Sequence, residues 1–378
     1  MTAAPIRVGF LGLSATGGWA ATALAPPLFD EPLASAYKLV AVSTSNTKSA
    51  AASAKAYGEK AGHVVKGYHD AADLANDPEV DLVAVCVKVH EHRAALLPAL
   101  AKGKAVFSEW PLAKSLDEAK ELTHLANEAG VRTMIGLQGW NSPVVQKVRG
   151  WIADGKIGRV LGVTWLGQKA SRRLNLWGPT TSERAKYTLD PENGVTLVSI
   201  PVSHDLTAIT RMLGPFNTVA AIVGKTWPTT QVLNAERKPT GESLAHVYPD
   251  HIGLTATFKH HPGAILSARW RSAPATGEKN KHRPALVAII DGEEGVIRFE
   301  LPANPYNVLQ IVTPAKVYLN DEEVEFEPTT PSTNTATSWK SFAKGTDGDY
   351  PTWADAVILH EQVVAIEKSF NEGVRVSI

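Results

Sequence analysis

The chain has 378 residues, of which 44% are apolar and 20% are charged. This length and composition are typical of a folded protein with more than one domain, and they exclude a disordered chain and a membrane protein. Lys plus Arg and Asp plus Glu number 38 each, so no long-range field draws the protein to nucleic acid or to an anionic membrane. Small molecules and other proteins are therefore the expected partners.

The chain opens with an apolar run, Ile6 to Leu11, that breaks at closely spaced glycines and continues into an alanine-rich segment that favours a helix. This order of strand, tight turn and helix is that of a dinucleotide-binding unit. Gly12 can adopt a positive φ, and a glycine at Gly17 or Gly18 lets the helix start lie close to a pyrophosphate. Ser14 stands at the usual middle glycine, so the turn taken alone also fits an ordinary strand-to-helix connection that binds nothing.

No basic segment, apolar core and cleavage site precede the first strand, and no eighteen apolar residues follow one another. We therefore expect a soluble, cytoplasmic protein. The single cysteine, Cys86, excludes an internal disulfide bond and a cysteine-based metal cluster. It lies in the apolar run from Asp81 to Val87, where a buried strand cysteine is a better interpretation than a nucleophile.

A second strand is predicted over Tyr37 to Val42, and it ends in the polar side chains of Ser43, Thr44, Ser45 and Asn46. In NAD-specific sites this position commonly offers a carboxylate to the ribose 2'-hydroxyl. A 2'-phosphate would meet no repelling carboxylate here and could accept hydrogen bonds from the three hydroxyls, which favours NADP, with NAD possible. The same residues also fit a turn with a helix N-cap.

Strands and helices continue to alternate as far as Gly136. Strands are predicted over Asp81 to Val87, Ala105 to Phe107 and Arg132 to Gly136, and helices over Arg93 to Ala101 and Leu116 to Ala129. Such alternation implies a parallel sheet covered on both faces, whose ligands bind at the carboxyl ends of the strands. The candidate ligand-binding residues after these strands are Lys88, His92, Glu109, Trp110, Pro111 and Gln138.

After about residue 150 the pattern changes to β-type segments joined by short turns. A strand over Val160 to Gln168 precedes a polar, arginine-bearing loop, 169–193, and a helix-like segment from Val195 to Leu213. Further strands are predicted at 218–223, 251–259, 264–271, 286–290, 295–300 and 309–312. Short turns such as His261-Pro262-Gly263 favour antiparallel pairing. Residues 329–338 are interpreted as a loop, and a closing helix is predicted over Trp353 to Phe370.

These patterns predict an α/β plus α+β architecture in two domains. Residues 1–150 are expected to form a Rossmann domain, a doubly wound parallel sheet that binds a dinucleotide. Residues 151–378 are expected to form a substrate and oligomerisation domain on an open, mostly antiparallel β-sheet. Apolar alternation such as Ile252-Gly253-Leu254 would leave one broad face of that sheet bare, so we expect a homodimer or higher homo-oligomer through it.

Five stretches carry a resemblance to a known family: the glycine turn, Val85 to His92, Glu109-Trp110-Pro111, Gly155-Lys156-Ile157-Gly158 and His204. Over nearly the whole chain they resemble the glucose-fructose oxidoreductase, inositol dehydrogenase and MocA (Gfo/Idh/MocA) family, which has Glu-Lys-Pro at 109–111. Gly18-Trp19-Ala20, Leu137-Gln138-Gly139 and Lys186-Tyr187 are similar to its fungal galactose-pathway repressor subgroup. Members of that subgroup bind cofactor and regulate transcription instead of turning over substrate.

The resemblance implies hydride transfer between NAD(P) and a small polar substrate that is sugar-like or bears a carbonyl or hydroxyl group. In the active dehydrogenases the lysine of Glu-Lys-Pro assists a histidine-centred acid/base pair, which Trp110 cannot do because its indole carries no charge. Ile200 and Thr207 also stand where the family tends to have aspartates. His204 stands at the family's acid/base position and is the candidate for proton transfer, with a hydrogen-bonded core histidine as the other interpretation.

Lys186 and Tyr187 are the candidates to supply a positive charge or a hydroxyl donor at the substrate oxygen, and a solvated loop fits them equally well. Glu109 is expected to accept a hydrogen bond near the nicotinamide ribose. The full expected cofactor set is Gly12, Leu13, Ser14, Ala15, Gly17, Ser43, Thr44, Ser45, Lys88, His92, Glu109, Trp110, Pro111 and Gln138.

Two functions stay open at the level of the sequence. One is an NAD(P)-dependent oxidoreductase with a non-standard active site. The other is a catalytically inactive NAD(P)-binding regulator that senses a small ligand and binds another protein. No metal site is predicted, because His90 and His92 have no third ligand nearby in the sequence.

Overall fold

The computed structural model describes residues 4–168, 177–272, 283–302 and 316–378. By its internal contacts the chain divides into a first unit, Met1–Asn141 with Pro331–Ile358, and a second unit, Ser142–Thr330 with Leu359–Ile378. The sequence suggested one boundary near residue 150. The structure differs because a late segment of the chain packs with the first unit.

The first unit is built on a six-stranded sheet in the order β3-β2-β1-β4-β5-β6, with parallel pairing throughout. Its strands are β1 (Ile6–Leu11), β2 (Tyr37–Ser43), β3 (Lys66–Tyr68), β4 (Leu82–Val85), β5 (Ala105–Glu109) and β6 (Thr133–Gly136). Its helices are α1 (Leu33–Ala36), α2 (Thr47–Ala61), α3 (Ala71–Asn76), α4 (Val89–Ala101), α5 (Leu116–Glu128) and α8 (Thr333–Ala343). This strand order is that of a dinucleotide-binding doubly wound sheet, so the prediction of a Rossmann sheet is confirmed.

The helix α8 places Trp339 in the core of the first unit. The Trp339 ring packs against Phe10, Tyr37 and Phe107, with ring centroids 6.4, 5.5 and 5.0 Å away. The Tyr37 hydroxyl also donates to the Trp339 carbonyl at 2.7 Å. The interpretation of 329–338 as a loop is therefore correct for 329–332 and wrong for 333–338, because burial of this indole stabilises a helix whose serines and threonines have only modest helix propensity.

The second unit contains a nine-stranded sheet in the order β17-β16-β15-β14-β7-β13-β12-β9-β18 and a three-stranded sheet in the order β11-β10-β8. The strands are β7 (Val160–Gln168), β8 (Thr180–Ser182), β9 (Phe216–Gly224), β10 (Thr229–Leu233), β11 (Pro239–Ala245), β12 (His251–Phe258), β13 (Ile265–Arg271), β14 (Leu286–Gly292), β15 (Val296–Leu301), β16 (Lys316–Leu319), β17 (Glu322–Val324) and β18 (Val376–Ser377). The helices are α6 (Pro143–Ala153), α7 (Ser203–Leu213) and α9 (Trp353–Glu372), of which α9 starts in the first unit.

Pairing in the nine-stranded sheet is mostly antiparallel, as the turns predicted. The pairs β12 with β13 and β14 with β15 are antiparallel, whereas β13 with β7 is parallel. The strand predicted at 309–312 lies outside the described residues. In the described ranges, no helix is both long and apolar enough to cross a membrane.

The apolar side chains of β12 face the covered side of the sheet. Ile252 and Leu254 are buried, whereas Thr255 is exposed on the opposite face. The outer face takes its exposed apolar side chains from other strands, chiefly Ile222 of β9 and Ile265 of β13. The bare face expected from the sequence is therefore a mixed surface of apolar, hydroxyl and basic side chains.

Candidate functional site

The turn after β1 is shaped by Gly12, whose φ is +92°. A Cβ atom at this position would overlap the carbonyl oxygen of Cys86, which follows β4. The Gly12 N–H donates to the carbonyl of Ser43, at the end of β2, at 2.8 Å. Only glycine fits between the ends of β2 and β4, because the positive φ and the closeness of the Cys86 carbonyl both exclude a side chain.

Ser14 closes the turn with its own polar atoms. Its hydroxyl accepts from the Thr16 N–H at 3.2 Å and lies 2.9 Å from the Thr16 hydroxyl. Its carbonyl accepts from the Gly17 N–H at 3.2 Å. The Ala15 N–H donates to the Ser53 hydroxyl on α2 at 3.0 Å. The serine that replaces the usual middle glycine therefore serves as an internal brace of an exposed turn.

The segment after the turn is not the regular α-helix that its alanines favour. Ala20–Leu24 forms a single π-helical turn, and Pro26–Phe29 follows as a 3₁₀ turn. Pro26 and Pro27 lack the N–H groups that an α-helix needs, which explains why the helix ends early. Leu13 and Ala20 are buried and anchor the two ends of the turn in the core.

The polar residues after β2 have mixed accessibility. Ser43 is buried, and the Thr44 hydroxyl lies 2.7 Å from that of Ser49. The Asn46 side chain accepts from the Ser49 N–H at 2.9 Å and caps α2. Ser45 is exposed. The helix N-cap that was the other interpretation of these residues is therefore present, and Ser45 beside it is exposed.

Three segments of the first unit meet at the carboxylate of Glu109, the last residue of β5. The indole Nε1–H of Trp19, directly after the glycine turn, donates to Glu109 Oε1 at 3.1 Å. The side-chain amide of Gln138, after β6, donates from 3.3 Å to the same carboxylate. Gly136 lies opposite Glu109 in the β5–β6 register, and a Cβ there would come within 2.5 Å of Oε2.

The Glu109 carboxyl is partly exposed, but the surrounding atoms remove most of its hydration. Burial raises its pKa to about 7, and the hydrogen bonds from Trp19 and Gln138 oppose that shift. Burial, with a smaller contribution from the Glu109 charge, raises the pKa of the neighbouring Cys86 thiol. A thiol held neutral in this way is a poor nucleophile.

The residues after Glu109 are covered. Trp110 is 6% exposed, and the peptide bond to the buried Pro111 is cis. Trp110 therefore contributes apolar bulk at the position of the family's lysine.

Lys88, which was expected to bind the cofactor, is exposed at the N-cap of α4.

His92 lies in the interior of the first unit and is 1% exposed. Its Nδ1 is 3.2 Å from the carbonyl oxygen of Leu112, and its Nε2 is 3.2 Å from that of Val87. Burial lowers the pKa of His92, so the ring is neutral near pH 7. The neutral ring has one N–H, so it donates to one of these two carbonyls, and both of its nitrogens face the protein backbone.

In the second unit, His204 and Asp205 lie in the first turn of α7 and differ in burial. His204 is partly exposed. Asp205 is fully buried, and its Oδ2 accepts from the indole N–H groups of Trp165 and Trp270, both at 2.8 Å. Gly167 leaves the space that Asp205 and Trp270 occupy. The Asp205 carboxylate thus fastens α7 to the nine-stranded sheet.

Lys186 and Tyr187 lie in a 3₁₀ turn that follows β8. The Lys186 ammonium donates to both carboxylate oxygens of Glu242 at 2.7 Å. Tyr187 is half-buried, and burial raises its pKa. Its carbonyl accepts from the Asn193 side chain at 2.8 Å. The positive charge expected at Lys186 is therefore already matched by a carboxylate in this conformation.

The structure brings Glu109 and Gln138 together, as expected for residues at the same edge of a parallel sheet. It adds Trp19 and Gly136, which sequence reasoning missed as site residues. Trp19 stood beside the glycine turn in a recognised motif, but its pairing with Glu109 could not be read from the chain. Among the described residues, no group of three or more histidine, cysteine or acidic side chains could hold a metal ion.

Two family models match consecutive parts of the chain. Residues 6–137 match the oxidoreductase family with an NAD-binding Rossmann fold, the Gfo/Idh/MocA model. Residues 143–301 match the C-terminal domain of Gal80p. Together they account for most of the chain, and their boundary lies close to the division between the two units.

Curated relatives of both functional kinds are similar to this chain. The dehydrogenase aclE of Aspergillus oryzae is 29% identical over 97% of this chain and 97% of its own length. The galactose/lactose metabolism regulatory protein GAL80 of Saccharomyces cerevisiae is 26% identical over 79% of this chain and 67% of its own length.

Solved structures share the fold. A super-repressor mutant of Gal80p from Saccharomyces cerevisiae superposes with a TM-score of 0.87 at 23% identity, covering 99% of this chain and 98% of that one. Levoglucosan dehydrogenase in complex with NADH and levoglucosan superposes with a TM-score of 0.77 at 18% identity, covering 99% of each chain. These matches assign residues 6–137 to the Gfo/Idh/MocA oxidoreductase family, with its NAD-binding Rossmann fold, and residues 143–301 to the type of the Gal80p C-terminal domain.

Proposed function

We propose that this protein is an NAD(P)-dependent oxidoreductase that transfers hydride to or from a small polar substrate, sugar-like or bearing a carbonyl or hydroxyl group. Its active site is non-standard, because Trp110 replaces the lysine of Glu-Lys-Pro. The full-length similarity to a relative named as a dehydrogenase supports this assignment.

The observation that carries the proposal is the Glu109 carboxylate, held beside the glycine turn by Trp19 and Gln138. An acceptor at the carboxyl edge of a parallel sheet is suited to the hydroxyls of a nicotinamide ribose. Gly12 has no side chain, so a pyrophosphate could approach the backbone closely at this turn. These features fit a dinucleotide, which would supply the hydride acceptor or donor.

His204 is the proposed acid/base group. In the oxidising direction the substrate hydroxyl gives its proton to the His204 imidazole as the C–H bond breaks and its electron pair leaves as hydride. In the reducing direction the imidazolium returns that proton to the carbonyl oxygen. Partial exposure of His204 at the start of α7 supports access to solvent and to a ligand. Lys186 or Tyr187 would assist by donating to the substrate oxygen.

We propose NADP as the preferred cofactor, with NAD possible. The support is the absence of a carboxylate among 43–46 and the outward position of the Ser45 hydroxyl. Titration calorimetry with both cofactors gives the two dissociation constants. Tighter binding of NADP is expected, and a clear preference for NAD would refute this part of the proposal.

The test of the enzymatic proposal follows cofactor absorbance against a panel of polyols, aldoses and imines in both directions. Turnover with at least one class is expected. Tight nucleotide binding without turnover on any of them would overturn the oxidoreductase assignment and leave the nucleotide site intact.

A second candidate is a catalytically inactive NAD(P)-binding regulator whose second unit binds another protein. Two observations favour it. Trp110 offers no acid/base group, and the Lys186 charge is neutralised by Glu242. Similarity to a relative named as a regulatory protein supports the same assignment. The binding-without-turnover result above is the outcome that this candidate predicts.

Self-association through the outer face of the nine-stranded sheet is part of the proposal. Ile222 is 77% exposed on β9, and Leu166 and Ile265 are exposed on β7 and β13. Exposed aliphatic side chains on a sheet face are typical of interfaces between subunits. Light scattering at micromolar concentration should report a dimer or a larger homo-oligomer, and a monomer would contradict this expectation.

A further inference from the structure

The Glu109 carboxylate joins segments that are far apart in sequence. Trp19 comes from the turn after β1, Gln138 from the turn after β6, and Glu109 itself ends β5. Its two side-chain donors are neutral groups, an indole N–H and a carboxamide. The carboxylate is therefore positioned by hydrogen bonds that both require it to act as an acceptor.

Ionisation of Glu109 changes how well its carboxyl group matches the surrounding hydrogen-bond donors. The ionised carboxylate accepts at both oxygens, which matches the Trp19 and Gln138 donors. Protonation places an O–H donor on one oxygen, where it faces groups that are themselves donors. Burial favours the protonated form and the donors favour the ionised form, so the two states are close in free energy near neutral pH.

Each neighbouring segment places a group near the carboxylate. Trp19 and Gln138 do not titrate near neutral pH, and the backbone N–H of Trp110 adds a third neutral donor. The titratable side chain that senses the Glu109 charge is Cys86, after β4, whose thiol is held protonated by burial. Glu109 is thus the group at this point whose charge changes between mildly acidic and mildly alkaline pH.

We propose that Glu109 is a proton-sensitive positioning residue: in its ionised form it holds Trp19, and with it the glycine turn, in the conformation that binds the nucleotide. Nucleotide affinity then rises as Glu109 loses its proton. This inference rests on the proposed nucleotide site, but it applies equally to a catalyst and to a regulator. It assigns Trp19 the role of coupling the carboxylate to the turn.

The test measures dissociation constants of NAD and NADP for the full chain from about pH 5.5 to about pH 8.5, a range that brackets the raised pKa of Glu109. Wild-type affinity should increase by about tenfold across this range, which is within the usual span of coupling between sites. NAD is the cleaner probe, because the 2'-phosphate of NADP itself titrates near pH 6.

Three variants isolate the effect. Glu109→Gln keeps the shape but cannot ionise, so its NAD affinity should not change with pH. Trp19→Phe removes the N–H that couples the carboxylate to the turn, so its NAD affinity should depend on pH less than that of the wild type. Trp140→Phe is the matched control, because it removes an indole hydrogen bond to another carboxylate of the first unit, Asp349, at 2.9 Å. Its pH dependence should equal that of the wild type.

Gly136→Ala provides an independent check that retains the ionisable group. Its Cβ would occupy the place of the flexible end of Glu109 and displace the carboxylate from Trp19. This variant should fold, as circular dichroism would verify, and should bind NAD more weakly than the wild type at alkaline pH.

The inference fails if wild-type affinity for NAD is independent of pH, or if Glu109→Gln keeps the wild-type slope. A Trp19→Phe affinity that changes with pH as much as that of the wild type would also overturn it. Absence of nucleotide binding at every pH would refute the nucleotide site itself. Binding that depends on pH in a protein without turnover would support the inference while overturning the oxidoreductase proposal.

Discussion

Trp165 and Trp270 share one acceptor: both indoles donate to Oδ2 of Asp205 at 2.8 Å. The two tryptophans come from the adjacent parallel strands β7 and β13, and Asp205 comes from α7. Asp205 therefore belongs to the framework that holds α7, although it is adjacent in sequence to the proposed acid/base residue His204.

Replacement of Asp205 should destabilise the second unit. Asp205→Ala leaves two buried indole N–H groups without an acceptor, so we expect a loss of about 2–5 kcal/mol in the free energy of unfolding. Asp205→Asn keeps one acceptor oxygen and should lose less. Urea denaturation followed by circular dichroism measures both. Glu300→Ala is the control, because its exposed ion pair with Arg298 should contribute under about 1 kcal/mol. Equal losses for Asp205→Ala and Glu300→Ala would refute the assignment.

Stability should depend on pH through Glu109. Its folded-state pKa of about 7 lies above the ordinary value of 4.5, so the folded protein binds this proton more tightly than the unfolded chain. The associated stability is fully present below the ordinary value and is lost as pH rises through about 7. Glu109→Gln removes this loss. Its melting temperature, relative to the wild type, should rise between mildly acidic and mildly alkaline pH, and a constant difference would contradict the raised pKa.

His204→Ala should reduce turnover by more than about tenfold if turnover is found, because it removes the proposed acid/base group. Nucleotide affinity should stay unchanged, since His204 is proposed to act on the substrate. The matched control is Thr210→Ala on the same helix, whose hydroxyl donates to the Leu206 carbonyl at 2.8 Å. An undiminished rate for His204→Ala would remove this assignment.

Variants of Lys186 and Glu242 can distinguish a catalytic role of Lys186 from a structural one. If Lys186 stabilises charge on the substrate oxygen, Lys186→Ala should lower kcat/KM by about tenfold or more, whereas Glu242→Gln frees the ammonium and should not lower it. Steady-state kinetics of both variants decide the matter. Equal, small effects of the two changes on kcat/KM would indicate that the pair only braces the turn after β8.

Thr230→Val should stabilise the protein. Thr230 is 1% exposed, and its hydroxyl has no hydrogen-bond partner within the part of the chain that the structure describes. Removing this hydroxyl should raise the free energy of unfolding by about 1 kcal/mol. Thr335→Val gives the opposite expectation, because the Thr335 hydroxyl donates to the Ala23 carbonyl at 2.6 Å. Urea denaturation compares them, and destabilisation by Thr230→Val would show that the hydroxyl is hydrogen-bonded in solution.

The sequence predicted the parallel sheet well because its strands are short apolar runs bounded by turn residues. The candidate site was predicted in part for the same reason, since Glu109 and Gln138 follow strands that end at one edge. The contact between Trp19 and Glu109 could not be predicted, because it joins residues 90 positions apart. Burial of the carboxyl, which sets its pKa, also depends on the assembled fold.

Two segments that sequence analysis missed lack the local pattern of the structure that they form. The strand β11 is almost entirely exposed, so it lacks the apolar alternation that marks a strand. The helix α8 consists largely of serine, threonine and asparagine, which favour turns in isolation. Trp339 supplies the burial that overrides this local preference.

The place of Trp339 in the first unit has a consequence for how the protein is made. Domains generally fold in the order of their synthesis, starting from the N-terminus. Here the Rossmann core remains incomplete until α8 leaves the ribosome, and the second unit also waits for residues 359–378. Both units should therefore reach their final fold only after residues 331–378 have been synthesised, and a nonsense mutation anywhere before α8 should leave neither of them intact.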